Sequence, residues 1–144
     1  MTDESLRSVT LSRTDTGRYV ATNARGLTME LGSGHDDLWS PVELLLAAIA
    51  GCSAVDVDVV TGRRTPPETF EVLAEGHKYR DEGGNVMRDL SLVFKVTFPE
   101  GEEGDAARAI LPRAVATSHD RTCTVSRTVE AGVPVAVSID ETAS

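Results

Sequence analysis

A chain of 144 residues is long enough for one compact domain with a hydrophobic core. Its 40% apolar and 26% charged content excludes the disordered and collagen-like classes for the bulk of the sequence. A net charge of −9 and a pI near 4.7 repel phosphates and anionic lipid head groups. Arg63-Arg64 is the only adjacent basic pair, so neither nucleic acid nor a membrane is an expected partner.

Residues 1–7 are polar and expected to fray; they show no basic start followed by an apolar run, so no secretory signal and a cytoplasmic location are expected. Val9–Ser12 and Arg18–Ala21 alternate apolar and polar residues around Asp15-Thr16-Gly17, the pattern of a hairpin. A second turn at Asn23-Ala24-Arg25-Gly26 leads into a third alternating run, Leu27–Leu31, which completes a three-stranded meander.

After the Gly32-Ser33-Gly34 loop comes the stretch around which the chain is organised. Ser40 is placed as an N-cap, Pro41 suits the first helical position, and Glu43 completes a Ser-x-x-Glu capping box. Leu44 to Ala50 is apolar at every position, so the helix is expected in a core or a membrane. Asp56 and Asp58 interrupt the run before the ~20 residues a membrane span needs. The reading is a buried central helix from about Pro41 to Thr61, stopped near Gly62 with Pro66-Pro67 beyond.

Thr69–Tyr79 and Leu90–Phe98 then read as a long antiparallel hairpin turning at Asp81–Asn85; Leu90, Leu92, Phe94, Val96 and Phe98 keep a period of two. Helical spacing returns from Asp105 to about Asp120, with Pro112 inside it and expected to kink it. Cys123-Thr124-Val125-Ser126 is placed to open a short helical turn, and Val133–Ile139 reads as a last strand. The predicted order is βββ-α-ββ-α-β, an α+β fold in a single domain over residues 1–144.

The cysteines are Cys52, on the central helix, and Cys123, 71 residues later. That spacing matches no zinc motif, since zinc ligands come in close pairs. Taken alone, Cys52 is better explained by an inert core thiol than by chemistry. Cys123 would gain thiolate character at a helix N-terminus, with Arg121 and Arg127 nearby, or would be a half-buried loop thiol. Asp56 lies one turn beyond Cys52, where its charge opposes a thiolate. His119, four residues before Cys123, suggests a base, a Cys-His metal pair, or an exposed histidine with no role.

The run Ser40-Pro41-Val42-Glu43-Leu44-Leu45-Leu46 reaching Gly51-Cys52, together with the late Cys123-Thr124-Val125-Ser126, resembles the OsmC/Ohr family over nearly the whole chain. The wording is closest to its less characterised OsmC-like branch. The resemblance implies an intertwined homodimer and a cysteine-based peroxidase that reduces organic hydroperoxides in oxidative-stress defence. It implies Cys52 as the peroxidatic thiol, Cys123 as the resolving thiol, and a dithiol reductant, lipoyl-type in some members, with no metal or flavin. It also implies an activating arginine in the N-terminal meander, best matched by Arg18, with Arg25 as the alternative. Those peroxidases hold the arginine with a glutamate ten residues before the first cysteine. Here that position is Val42, and Glu43, at about 100° further round the helix, points elsewhere. Two other readings stay open: a non-catalytic relative that binds an apolar small molecule or senses redox state at the dimer interface, and a metal site of Cys52, Cys123 and His119.

Overall fold

The structure, a computed structural model, describes residues 3–35 and 37–142. Of the N-terminal residues expected to fray, Met1 and Thr2 lie outside the described ones. The sequence reading placed no boundary inside the chain. The structure divides it into two compact units, one ending at Ala47 and the other starting at Ala48, with the boundary inside the long helix.

The first unit is the expected meander. β1 (Val9–Asp15), β2 (Arg18–Asn23) and β3 (Thr28–Gly32) pair antiparallel in sequence order. Thr16-Gly17 makes the first turn, with Gly17 at φ 69°, a conformation that favours glycine. The second turn is closed by the Asn23 side chain, whose Oδ1 accepts from the Arg25 and Leu27 amides at 3.0 Å each. After β3 the chain returns on itself: the Gly32 amide donates to the Trp39 carbonyl at 2.8 Å. α1 (Pro41–Gly62) follows at once. Its capping box forms in both directions, with the Glu43 amide donating to Ser40 Oγ at 3.1 Å and the Ser40 amide to Glu43 Oε1 at 2.9 Å. Glu43 is thereby used in starting the helix.

α1 has a window of mean hydropathy 1.9, long and apolar enough by composition to cross a membrane. Within this chain, however, its buried residues form one stripe, Ile49, Ser53, Val57 and Thr61, each four positions apart. Two of the four are hydroxyl residues, and Thr61 Oγ1 donates to the Val57 carbonyl at 3.1 Å. Val55 and Val59 remain exposed. The helix expected to be buried is therefore fully buried along that line alone, with Leu44, Leu45, Leu46 and Cys52 among its half-buried residues.

In the second unit, β4 (Thr69–Asp81) and β5 (Gly84–Thr97) form the expected hairpin, with Phe70 opposite Val96, Val72 opposite Phe94 and Ala74 opposite Leu92. These residues share one half-buried face, where the Phe70 and Phe94 rings meet edge-on with centroids 6.2 Å apart. Phe98 completes that face and is buried; Leu90, expected with it, is exposed because a bulge at Glu75/His77 breaks the phase there.

α2 (Glu102–Thr117) begins a turn earlier than the apolar spacing indicates, because Glu102, Glu103 and Asp105 supply an acidic first turn suited to the helix dipole. Gly104 in that turn is obligatory in space, since a Cβ there would run into the Pro99 carbonyl. Pro112 is accommodated inside the helix. Ser118–Thr122 continues α2 directly as one wide π-helical turn, and α3 (Thr124–Ala131) follows, closed by Gly132 at φ 62°.

The order of elements thus matches the expected α+β pattern through the second helix. The last strand expected over Val133–Ile139 departs from it: residues 133–139 take no regular structure, because a strand needs a strand neighbour to pair with and the described residues show none beside them. Val135, Val137 and Ile139 are each at least 85% exposed.

Candidate active site

Cys123 is the N-cap of α3. Its backbone is extended at φ −75° and ψ 97°, which releases the chain from the π-helical turn and starts a new helix in another direction. The thiol takes the part that a serine hydroxyl usually plays: the Ser126 amide donates to Sγ at 3.4 Å, and the S–H donates to Ser126 Oγ at 3.2 Å. Cys123 and Ser126 are both buried. The short helical turn expected at Cys123 is therefore present, and the thiol sits at its positive end.

Cys52, half-buried on α1, reaches the same place. The groups that act on its thiol are the Val125 and Thr124 amides at the head of α3, which favour its thiolate, and the Cys123 thiol, which disfavours it. Both cysteines are free thiols in this structure. Residues 71 positions apart in sequence are thus brought close enough for each thiol to shift the acidity of the other.

The two thiols differ in acidity. Burial pushes the Cys52 thiol above its ordinary value; the amides of Val125 and Thr124 oppose this, while the bond to Cys123 and that thiol's charge add to it. Burial also acts against a Cys123 thiolate, but the Ser126 hydroxyl and amide and the Cys52 thiol outweigh it, so Cys123 falls below the ordinary value; the Asp56 carboxylate works in the opposite direction. Cys52 is the more accessible thiol and Cys123 the more acidic one.

Beneath the dithiol lies a polar cluster of which the sequence disclosed one member. Asp56, whose partner was not legible, accepts at Oδ2 from Ser118 Oγ at 2.8 Å and from Thr122 Oγ1 at 2.9 Å. Ser118 Oγ is also 3.1 Å from Ser53 Oγ. A hydroxyl has one proton, and that of Ser118 goes to Asp56, so Ser53 donates to Ser118. Ser53 and Ser118 are both buried, and each is satisfied by these bonds. Ser53, Ser118 and Thr122 escaped sequence reasoning because a single hydroxyl residue carries no periodic signal; the one available hint was the adjacency of Ser53 and Thr122 to the cysteines.

Arg18 lies in the first unit, on β2, where its Nη2 pairs with Asp37 Oδ1 at 3.2 Å. Arg25 sits in the turn after β2 and is exposed. His119 is occupied by carboxylates: Nδ1 is 2.9 Å from Asp120 Oδ1 and Nε2 is 2.8 Å from Glu130 Oε1. The metal site considered for Cys52, Cys123 and His119 is not formed, since both histidine nitrogens are taken; among the described residues no group of three or more His, Cys, Asp or Glu is placed to hold an ion.

The same two bonds make His119 a tie between the π-helical turn and the end of α3. Asp120 first, then Glu130, raise its pKa above the ordinary imidazole value. A raised folded value means that this contribution to stability is fully present below the unfolded pKa, about 6.5, and is lost as pH rises through the folded one. Urea midpoints measured across that window are expected to fall with rising pH, and His119→Gln is expected to flatten that part of the profile. Because the ring is 56% exposed, the effect is expected to be small and to shrink in salt.

Comparison with known proteins places the chain in a family. The family model described as OsmC-like protein matches residues 34–138, which include both cysteines, Asp56 and the π-helical turn. The protein YhfA of Escherichia coli is 30% identical over 114 residues, covering 78% of this chain and 81% of its own length. An OsmC-like protein of unknown function from Vibrio cholerae superposes with a TM-score of 0.71 at 13% identity, covering 90% of this chain and 95% of that one. An organic hydroperoxide resistance protein OsmC from Legionella pneumophila superposes with a TM-score of 0.56 at 16% identity, covering 89% and 91%. At such identities the two structures speak for the fold alone. With the match running over most of the sequence and through the paired cysteines, the chain belongs to the OsmC-like family, within the OsmC/Ohr superfamily.

Proposed function

We propose that the protein is a thiol-dependent peroxidase that reduces organic hydroperoxides through Cys52 and Cys123 as a cytoplasmic homodimer. The observation that carries this reading is the meeting of two free thiols at the head of α3. The Cys52 thiolate attacks the terminal peroxide oxygen; the O–O bond breaks, the alcohol leaves with a proton, and Cys52 becomes a sulfenic acid. The Cys123 thiolate then attacks the Cys52 sulfur, a disulfide forms and water departs. A dithiol reopens the bridge by exchange, leaving as its own disulfide and returning both thiols.

The amides at the head of α3 do not by themselves bring the Cys52 thiol below its ordinary value, so the reading requires a further cation. Arg18 is the guanidinium we assign to that role on the family resemblance. Arg18→Ala is then expected to slow oxidation of Cys52, by about tenfold for each unit the thiol pKa rises, and to move its rate profile toward alkaline pH. Stopped-flow oxidation across pH checks this; an unchanged profile removes Arg18 from the mechanism.

The dimer rests on uncovered apolar surface. A helix apolar on most faces is buried along one stripe, and the alternating residues of 133–139 stand in solvent. Both are explained by a second copy.

The test is consumption of t-butyl hydroperoxide with a lipoyl-type dithiol as reductant. Turnover well above that of the dithiol alone supports the reading. Turnover equal to it overturns the reading and favours a relative that binds an apolar molecule or senses redox state.

A further inference from the structure

The bond that ends α2 is of π type: the Cys123 amide donates to the carbonyl of Ser118, five residues earlier, at 2.8 Å. In a continued α-helix that amide would bond to His119 instead, and Cys123 would sit about 100° away around the axis. The wide turn therefore decides where the Cys123 sulfur points. Wide turns are rare because their hydrogen-bond geometry is poorer than that of an α-helix, so something outside the turn has to hold this one. Ser118 is its first residue and Thr122 its last, and both hydroxyls donate to the same oxygen of Asp56. Asp56 stands on α1, one helical turn after Cys52. One carboxylate thus grips both ends of the turn that presents Cys123, from the helix that carries Cys52.

We infer that Asp56 is a positioning residue for disulfide chemistry, acting through Ser118 and Thr122 to hold Cys123 in bonding register with Cys52. The inference rests on the two-thiol reading for its place in a reaction, but its physical content is narrower: the ease with which this dithiol closes. Asp56 bears one cost in this position, since its charge opposes a Cys123 thiolate, so its part there is geometric rather than electrostatic.

The experiment is a redox titration of the Cys52–Cys123 pair in oxidised and reduced dithiothreitol, read by thiol alkylation and intact mass, for wild type, Asp56→Asn and Asp56→Ala. Asn keeps an oxygen that accepts both hydroxyls and removes the charge; Ala removes the grip. Asp56→Ala is expected to lower the equilibrium constant for closure by about tenfold, or roughly 30 mV for a two-electron couple. Asp56→Asn is expected to stay within about threefold of wild type, since its amide oxygen still accepts both bonds. Equal closure in Asp56→Ala and wild type overturns the inference, as does an Asn variant that falls as far as Ala.

Should Asp56→Ala fail to fold, Ser118→Ala and Thr122→Val each remove one bond from the far side. Each is expected to weaken closure, and an unchanged constant in both overturns the inference equally. Dithiothreitol needs no hydroperoxide, so the two claims fail separately. Absent peroxide turnover with an intact Asp56 effect removes the peroxidase and leaves the clamp; normal turnover with no Asp56 effect does the reverse.

Discussion

Cys52→Ser is expected to bring hydroperoxide turnover down to the background of the dithiol reductant alone. Serine keeps the size and the hydrogen-bonding capacity of the side chain, but its hydroxyl has no accessible anion at neutral pH and does not attack a peroxide. Cys123→Ser is expected to leave the first oxidation intact and to remove the second. Cys52 sulfenic acid then accumulates, is trapped by dimedone, and proceeds under excess peroxide to sulfinic and sulfonic acids that the dithiol does not reverse. Intact mass distinguishes the states: wild type loses two hydrogen atoms, while the Cys123 variant gains oxygens. The site explains the division of labour. Cys52 is the thiol that a ligand can reach, and Cys123 is buried, capped by Ser126 and more acidic. A buried acidic thiol is suited to receive a neighbour's oxidised sulfur, and as a good leaving group it suits the reductive exchange as well. Dimedone labelling on Cys123 in Cys52→Ser, in place of labelling on Cys52, would reverse the assignment.

Much of this arrangement is legible in the sequence. The capping box at Ser40 and Glu43 and the Asn23 turn are local devices, and each formed where local chemistry put it; the period of two expected from Leu90 to Phe98 holds only from Leu92 onward. The juxtaposition of Cys52 and Cys123 was reached through family resemblance, because no local pattern links positions so far apart. The Asp56 cluster was invisible for a related reason. Its bonds run from α1 to Ser118 and Thr122, more than sixty positions away, and hydroxyl residues at single positions carry no periodicity. The π-helical turn was equally hidden, since a change from i−4 to i−5 bonding leaves the composition untouched. Where the sequence reading and the single chain part company is at Val133–Ile139 and along α1. In both places the pattern is that of buried structure, and the chain alone does not bury it.

That mismatch supplies the second large expectation, a homodimer that a charge on the uncovered apolar residues destroys. Val133, Val135, Val137 and Ile139 alternate as one face of a strand, and in the single chain the last three are 85%, 87% and 85% exposed. Such a segment has unbonded amides and carbonyls as well as bare side chains, and pairing with a second copy satisfies both at once. On α1, Val55 at 65% and Val59 at 56% exposure are further uncovered apolar residues. Full burial of a valine is worth roughly 1.5–3 kcal/mol, so these six residues represent a large share of the stability of a chain this size. Sedimentation equilibrium at micromolar concentration is expected to give twice the chain mass for wild type. Val137→Lys, with a charge placed in the middle of the strand face, is expected to shift the protein to monomer and to lower its denaturation midpoint. Lys at Thr128, exposed on α3 and outside the apolar surface, serves as the control and is expected to leave both unchanged. A wild-type chain that sediments as a stable monomer, with Val137→Lys changing neither mass nor midpoint, overturns this expectation.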